Sequence, residues 1–355
     1  SMKFEQIMPS ATTMADATLP TVAMDTEAGT QYNVLHGYTS ELDSTLFYGN
    51  ITPVNKDRKL AITINTYGED VESVGYKIRS LEDKSLIENT EVSGYQVTDN
   101  KINVTLNIKN LLDTGKEYAL EVVLKTKKHD AVYYYTRIMY GTDYDLQKKL
   151  DFVRDFNACT FDSARLKDIG GYLETSSVGD NTNYGKVNIN CSLSQIGWGD
   201  LEPYIESEIT PEIISINDDV AIIRLDYRVG AANDYSSSDT YNVNEYYRIR
   251  QTNSGFYLLN FEREMNQVFD AKNDLTSSAK INLGINSSTY VNCTSDEKGI
   301  YTYFVNQGSL WCFSSSSQTF TRVFSFRGEE TDSVREDYDA HNIKIMKIED
   351  NGDAT

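Results

Sequence analysis

The chain has 355 residues, 53 acidic against 33 basic, and a net charge of −20. Such a surface repels phosphate backbones and anionic headgroups, which argues against nucleic acid or a membrane surface as partner. With 39% hydrophobic residues it can fill ordinary cores, yet no run approaches the ~18 apolar residues of a membrane span.

Residues 1–18 (SMKFEQIMPSATTMADAT) are small, polar and poorly periodic, and read as a flexible tether. Ser1-Met2 has the look of a cloning remnant, so a membrane anchor is expected upstream of Lys3.

Residues 19–141 carry a series of strand patterns, at 19–24, 32–38, 45–51, 59–66, 73–81, 85–95, 101–108, 117–125 and 131–139. In KINVTLNIKNL, Ile102, Val104, Leu106 and Ile108 fall on one face. Asn55-Lys56-Asp57, Gly68-Glu69-Asp70, Asp99-Asn100 and Asp113-Thr114-Gly115 supply the turns between runs. Many short strands at even spacing predict a two-sheet β-sandwich, Ig-like in general shape but without the Cys-Trp-Cys signature of antibody domains.

At residue 142 the period changes. Leu146, Leu150, Val153 and Phe156 recur at steps of three and four, and Thr142 with Asp145 offers a capping box. A second helix is predicted at 163–175, weakened by Gly170-Gly171. Strand patterns return at 186–194, 204–215, 219–229, 240–251 and 255–263, so residues 142–289 read as an α+β domain with helices on one face of a curved antiparallel sheet.

Residues 290–355 hold short strands at 300–306, 309–315 and 321–326, followed by a charged loop and NIKIMKIEDNGDAT. The one interval from Gly299 to Gly352 fits a β-propeller blade and the start of the next, or a plain meander. Thr294-Ser295-Asp296-Glu297-Lys298-Gly299 resembles the Asp-box turn of sialidase-like propellers, one residue off in spacing unless Ser295 is dropped. The fold class is therefore mainly β with an α+β middle domain.

No reactive set is gathered along the sequence. His36, His129 and His341 lie in three different predicted domains. Asp337, Asp339 and His341, in SVREDYDAHN, form the one short candidate for a divalent cation; a loop between strands accounts for them as well. No cofactor is expected. Structural calcium stays open through DNTNYG (180–185) and DAKND (270–274), though neither carries a calcium-loop pattern. Lys125, Lys127, Lys128 and His129 read as a solvated hairpin tip. Among 25 tyrosines, Tyr133, Tyr135, Tyr246 and Tyr247 are candidate ligand platforms, because exposed Tyr offers area at low entropy cost; cross-strand packing is the alternative use. Trp198 and Trp311 read as core. Cys159, Cys191, Cys293 and Cys312 lack metal spacing and read as buried thiols, with a Cys159 to Cys191 or a Cys293 to Cys312 disulfide left open.

Several phrases, among them ATLPTVAM (17–24), LHGYTSELD (35–43), DRKLAITINTYG (57–68), YKIRSLEDKSLIENTEV (76–92), LDFVRDF (150–156), YLETSSVGDNT (172–182), YRIRQTNSGFYLLNFEREMNQVF (247–269) and VFSFRG (323–328), resemble a group of uncharacterised, membrane-anchored proteins of clostridial Gram-positive bacteria. The resemblance spans nearly the whole chain. It implies an extracytoplasmic location, one N-terminal membrane helix and a native chain that continues past Thr355; it implies no activity.

Together these readings predict a non-enzymatic ectodomain that acts in binding, scaffolding or envelope sensing, with an envelope protein or a glycan as partner. Two alternatives remain: a glycan-active hydrolase with its site in the missing part of a propeller, and a carbohydrate-binding or adhesin module.

Overall fold

Alternating side chains between residues 21 and 140 build two five-stranded sheets. The computed structural model describes residues 19–232, 238–268, 291–306, 308–317, 319–325 and 343–348, with short pieces at 276–277, 280–281 and 354. The protein is mainly β, 50% strand and 10% helix, in several sheets, none of them closed. Among the described residues no helix is long and apolar enough to cross a membrane.

The first ten strands are β1 (Thr21–Asp25), β2 (Gln31–Leu35), β3 (Ile51–Val54), β4 (Lys59–Asn65), β5 (Val71–Ser80), β6 (Leu86–Val92), β7 (Gln96–Thr98), β8 (Lys101–Asn107), β9 (Glu117–Thr126) and β10 (Val132–Tyr140). One sheet runs β2-β1-β4-β8-β7 and the other β3-β10-β9-β5-β6. Ile102, Val104 and Leu106 of β8 are buried, as their alternation predicts, against Leu60, Ile62 and Ile64 of β4 and Leu120, Val122 and Leu124 of β9. Each such side chain contributes about 1.5–3 kcal/mol by leaving water. Pairing is antiparallel except for β3 on β10, which is parallel, with Ile51 opposite Arg137.

The parallel pair follows from the chain between β2 and β3. Of residues 45–51, predicted as a strand, Ile51 begins β3, whereas 45–50 form a 3-10 turn at Ser44–Leu46 and an irregular stretch. Asp43 causes the departure: its carboxylate accepts from the amide and hydroxyl of Thr45, a local bond that competes with a ladder. The segment crosses the outer side of the second sheet as a strap and returns to its edge.

The middle region has α1 (Leu146–Thr160), a 3-10 helix at Leu166–Tyr172 and the one-turn α2 (Leu193–Ile196). Leu146, Leu150, Val153 and Phe156 are all buried, as the period requires. The expected capping box is absent. Tyr144 and Asp145 adopt left-handed backbone, with φ of 53° and 52°, and Asp145 at the helix start makes no side-chain cap. Thr142 Oγ1 instead accepts from the amide of Tyr144. The predicted second helix shrinks to the 3-10 segment, where Gly170-Gly171 carries no helix-forming side chain.

The six-stranded sheet comprises β11 (Lys186–Asn188), β12 (Tyr204–Ile205), β13 (Glu212–Ile216), β14 (Val220–Ala232), β15 (Ser238–Thr252) and β16 (Gly255–Gln267). Its order is β11-β16-β15-β14-β12, with β13 also on β14. Lys149 of α1 is wholly buried, and its ammonium donates to the carbonyls of Tyr144, Asn217 and Asp218, pinning the helix to the β13–β14 turn. Burial lowers its pKa against the pull of nearby aspartates.

Asn33 joins the two regions. It is fully buried with φ of 48°, a left-handed conformation that Asn tolerates better than most residues. Its amide nitrogen donates to Ile51 O (2.9 Å) and Thr52 Oγ1 (3.1 Å), and its side-chain oxygen accepts from Ile213 N (2.7 Å). Its own N–H donates to Pro211 O (2.9 Å). The buried apolar cluster runs through this joint from Val22 to Met265.

Towards the C-terminus, β17 (Thr276–Ser277) pairs with β18 (Lys280–Ile281). A four-stranded antiparallel meander follows, of β19 (Cys293–Ser295), β20 (Tyr301–Asn306), β21 (Ser309–Ser314) and β22 (Thr319–Ser325). In the Asp-box-like turn, Asp296 Oδ1 accepts from Tyr301 N at 2.8 Å. All four cysteines are free; Cys159, Cys191 and Cys312 are buried, whereas Cys293 is exposed.

Candidate functional site

Strand β15 divides its side chains between two environments. Glu245, Tyr247 and Ile249 point into the core, while Asn244, Arg248 and Arg250 are exposed and Tyr246 is half-exposed. The neighbouring strands share this parity. Arg224, Tyr246 and Glu262 form one cross-strand row, Ile222, Arg248 and Asn260 the next, and Val220, Arg250 and Tyr257 the third.

The inner side holds a buried cluster of titratable side chains. Glu245 is wholly buried; its Oε1 accepts from Tyr227 Oη (2.8 Å), and its Oε2 from Tyr247 Oη (2.6 Å) and Asn157 Nδ2 (2.9 Å). Arg263, also wholly buried, faces it with Nη1 3.7 Å from Oε1. The guanidinium lies 3.5 Å above the Trp198 ring and donates from Nη2 to the carbonyls of Gln195 (3.2 Å) and Ile196 (2.9 Å). Burial first, and the Glu245 charge second, push the Tyr227 and Tyr247 hydroxyls well above the ordinary tyrosine range. A carboxylate with three donors in place and no solvent access holds α1, α2 and the sheet together.

The outer side is different. Arg250 sits 5.6 Å over the ring of Tyr257, which is 49% exposed. Neither Arg248 nor Arg250 forms an ion pair among the described residues. At the other end of this face the charges are matched: Arg224 with Glu212 (2.6 Å) and Asp226 (3.1 Å), and Lys186 with Glu264 (3.7 Å).

The four candidate tyrosines therefore separate. Tyr246 stands on the open face, and Tyr247 belongs to the sealed cluster. Tyr135 is buried under the strap, stacked on Phe47 (4.4 Å), and accepts from Leu42 N at 2.7 Å. Tyr133 is half-exposed with Lys77 5.9 Å over its ring. Leu46 and Tyr48 of the strap remain exposed, and Arg137 lies 3.4 Å over Tyr48. Trp198 and Trp311 are buried.

Asp337, Asp339 and His341 lie outside the described residues, as does DAKND. Among the described residues no group of three or more His, Cys, Asp or Glu side chains could hold a metal ion. In DNTNYG, Asp180 accepts from Thr182 N (2.9 Å), Thr182 Oγ1 (2.6 Å) and Asn183 Nδ2 (3.1 Å), bonds that hold its carboxyl below the usual range. The basic hairpin tip is matched by acids of the β4–β5 turn and the start of β5: Lys125 with Glu72 (2.8 Å), Lys127 with Asp70, and His129 with Glu69 (3.3 Å).

The sequence reading missed Arg248, Arg250 and Tyr257. The alternation in YYRIRQ was a usable signal for the two arginines, since residues two apart on a strand share a face. The meeting of Glu245 with Arg263 had no local signal, because the two lie on adjacent strands. No protein-family model matches the chain, and no curated protein does.

Proposed function

We propose that this chain is a non-catalytic extracytoplasmic module of a membrane-anchored bacterial protein, and that it binds or scaffolds at the cell envelope. The observation that carries the reading is the division on β15: the inner titratable groups are locked into the core, and Tyr246, Arg248 and Arg250 stand outward. A sealed Glu–Arg–Tyr cluster supports a frame, and an open aromatic and cationic face supports a contact surface.

Further features fit this reading. The second sheet order, with β3 parallel to β10 at the edge and β9, β5 and β6 following, agrees with an Ig-like sandwich. The meander β19–β22, with its Asp296 turn, has the strand count of one propeller blade. The Asn33 joint would keep the sandwich and the middle sheet at a fixed angle, as a scaffold requires. The resemblance to anchored clostridial proteins supplies the location.

The test uses intact cells producing the full-length protein. Protease or a membrane-impermeant label added outside is expected to reach these residues, and the purified chain is expected to retain an envelope component from a wall fraction without changing it. Protection from external label would overturn the location. Turnover of a wall glycan would overturn the non-catalytic reading.

A further inference from the structure

We infer that the open end of the outer face of β14–β16, centred on Tyr246, Arg248, Arg250 and Tyr257, binds an anionic polysaccharide. The inference rests on the binding reading above and names its ligand. The face is built by register. Arg248 and Arg250 are two residues apart on β15, so their side chains emerge on the same side about 7 Å apart. Tyr257 is directly opposite Arg250, and Asn260 opposite Arg248. Tyr246 precedes Arg248 on the same face.

Two considerations select the ligand. First, charge: in a protein of net charge −20, Arg248 and Arg250 have no acidic partner among the described residues, although the other end of the same face pairs its cations closely. Guanidinium forks left open to solvent match carboxylate oxygens. The overall negative field does not prevent this, because at physiological ionic strength charges beyond about 8 Å are largely screened. Second, shape: Tyr246, Arg248 and Arg250 follow one another on one face of β15, with Tyr257 beside Arg250 on β16. A sugar ring can lie on a tyrosine while its carboxylate reaches the adjacent guanidinium, and the Asn260 amide, which donates one N–H to Glu262 Oε1 (3.0 Å), has a second for a hydroxyl. From Tyr246 to Arg250 the row covers about 14 Å of strand, room for more than one ring of a charged sugar polymer. An acidic peptide would gain its main-chain bonds at a sheet edge, and this surface is a face.

The experiment titrates the 355-residue chain with polygalacturonate as the probe, with neutral dextran and poly-L-glutamate in parallel. Polygalacturonate is expected to bind, and binding to Arg248→Glu/Arg250→Glu is expected to be weaker by about tenfold or more, from the loss of two charge-assisted contacts. Tyr257→Ala, which leaves the charge unchanged, should also weaken it. Both substitutions are at exposed positions, and unchanged circular dichroism and melting would verify the fold. Equal binding of poly-L-glutamate would overturn the proposal, because charge alone would then suffice. Dextran binding that is lost in Tyr257→Ala would overturn the anionic ligand yet leave the binding reading standing. No binding of polygalacturonate, or binding indifferent to the arginines, would also overturn it.

Discussion

The sandwich and the middle sheet both bury apolar strands, but the middle sheet also sets a charged pair at full burial. Between the two five-stranded sheets, contact is made by aliphatic side chains such as Ile62, Val104 and Leu120, and polar groups enter mostly at the margins, as where Glu88 accepts from Tyr76 Oη and Lys109 N. The middle sheet places a charged pair, Glu245 and Arg263, at full burial beneath α1 and α2. Apolar contacts tolerate loss by degrees. A buried charge whose partner is removed keeps its whole desolvation penalty. The comparison teaches that the middle region adds a buried charged pair to an apolar core, whereas the sandwich core rests on summed apolar area.

Breaking the charged pair should give the largest effect. Arg263→Met leaves the Glu245 charge unpaired and is expected to cost about 3–5 kcal/mol in urea unfolding. Combining it with Glu245→Gln removes both charges while keeping an acceptor for the tyrosines, and most of the loss should return. A single substitution that is silent would abolish the contrast drawn here. Leu120→Ala in the sandwich should cost about 3 kcal/mol through its cavity, with no such rescue by a partner substitution.

Asn33→Ala tests the joint between the regions. It strips three side-chain hydrogen bonds and is expected to cost about 1–3 kcal/mol. It should also split a shared calorimetric transition into two. One unsplit transition in the variant would show that packing alone couples the regions.

The smallest effect concerns the strap. Lys84 and Thr45 hold the Asp43 carboxyl down to about 2, against an ordinary value of 3.8. A depressed carboxyl stabilises the folded form fully above the unfolded value, and this contribution disappears as pH falls through about 2. Protection of the Thr45 amide, its exchange measured against the intrinsic rate at each pH, should therefore fall between about pH 4 and 2. In Asp43→Asn the same amide should already exchange faster at neutral pH and lose that window.

Much of the fold was legible because side-chain period is a local property. The one-face pattern of Ile102, Val104 and Leu106 located β8, and the steps from Leu146 to Phe156 located α1, since burial of one face is demanded wherever such a pattern folds. Local chemistry hidden inside a strand-like run was harder to read: Asp43 turned residues 45–50 away from the sheet through bonds to its neighbour Thr45, which hydropathy does not register. The candidate site was half legible. Tyr246 and Tyr247 were visible as a pair, but a strand sends consecutive residues to opposite faces, and only the covering of one face by α1 decided which tyrosine met solvent.

From the sequence alone came strand content, the helical stretch after residue 142, the buried tryptophans and the acidic character, all set by residue type and spacing within a few positions. Tertiary structure decided the pairing of Glu245 with Arg263, the welding of β13 to the sandwich through Asn33, and the two arginines left open beside Tyr257. Those contacts join residues that lie far apart in the chain or on separate strands, and no local pattern encodes which side chains the strand register and the covering elements bring together.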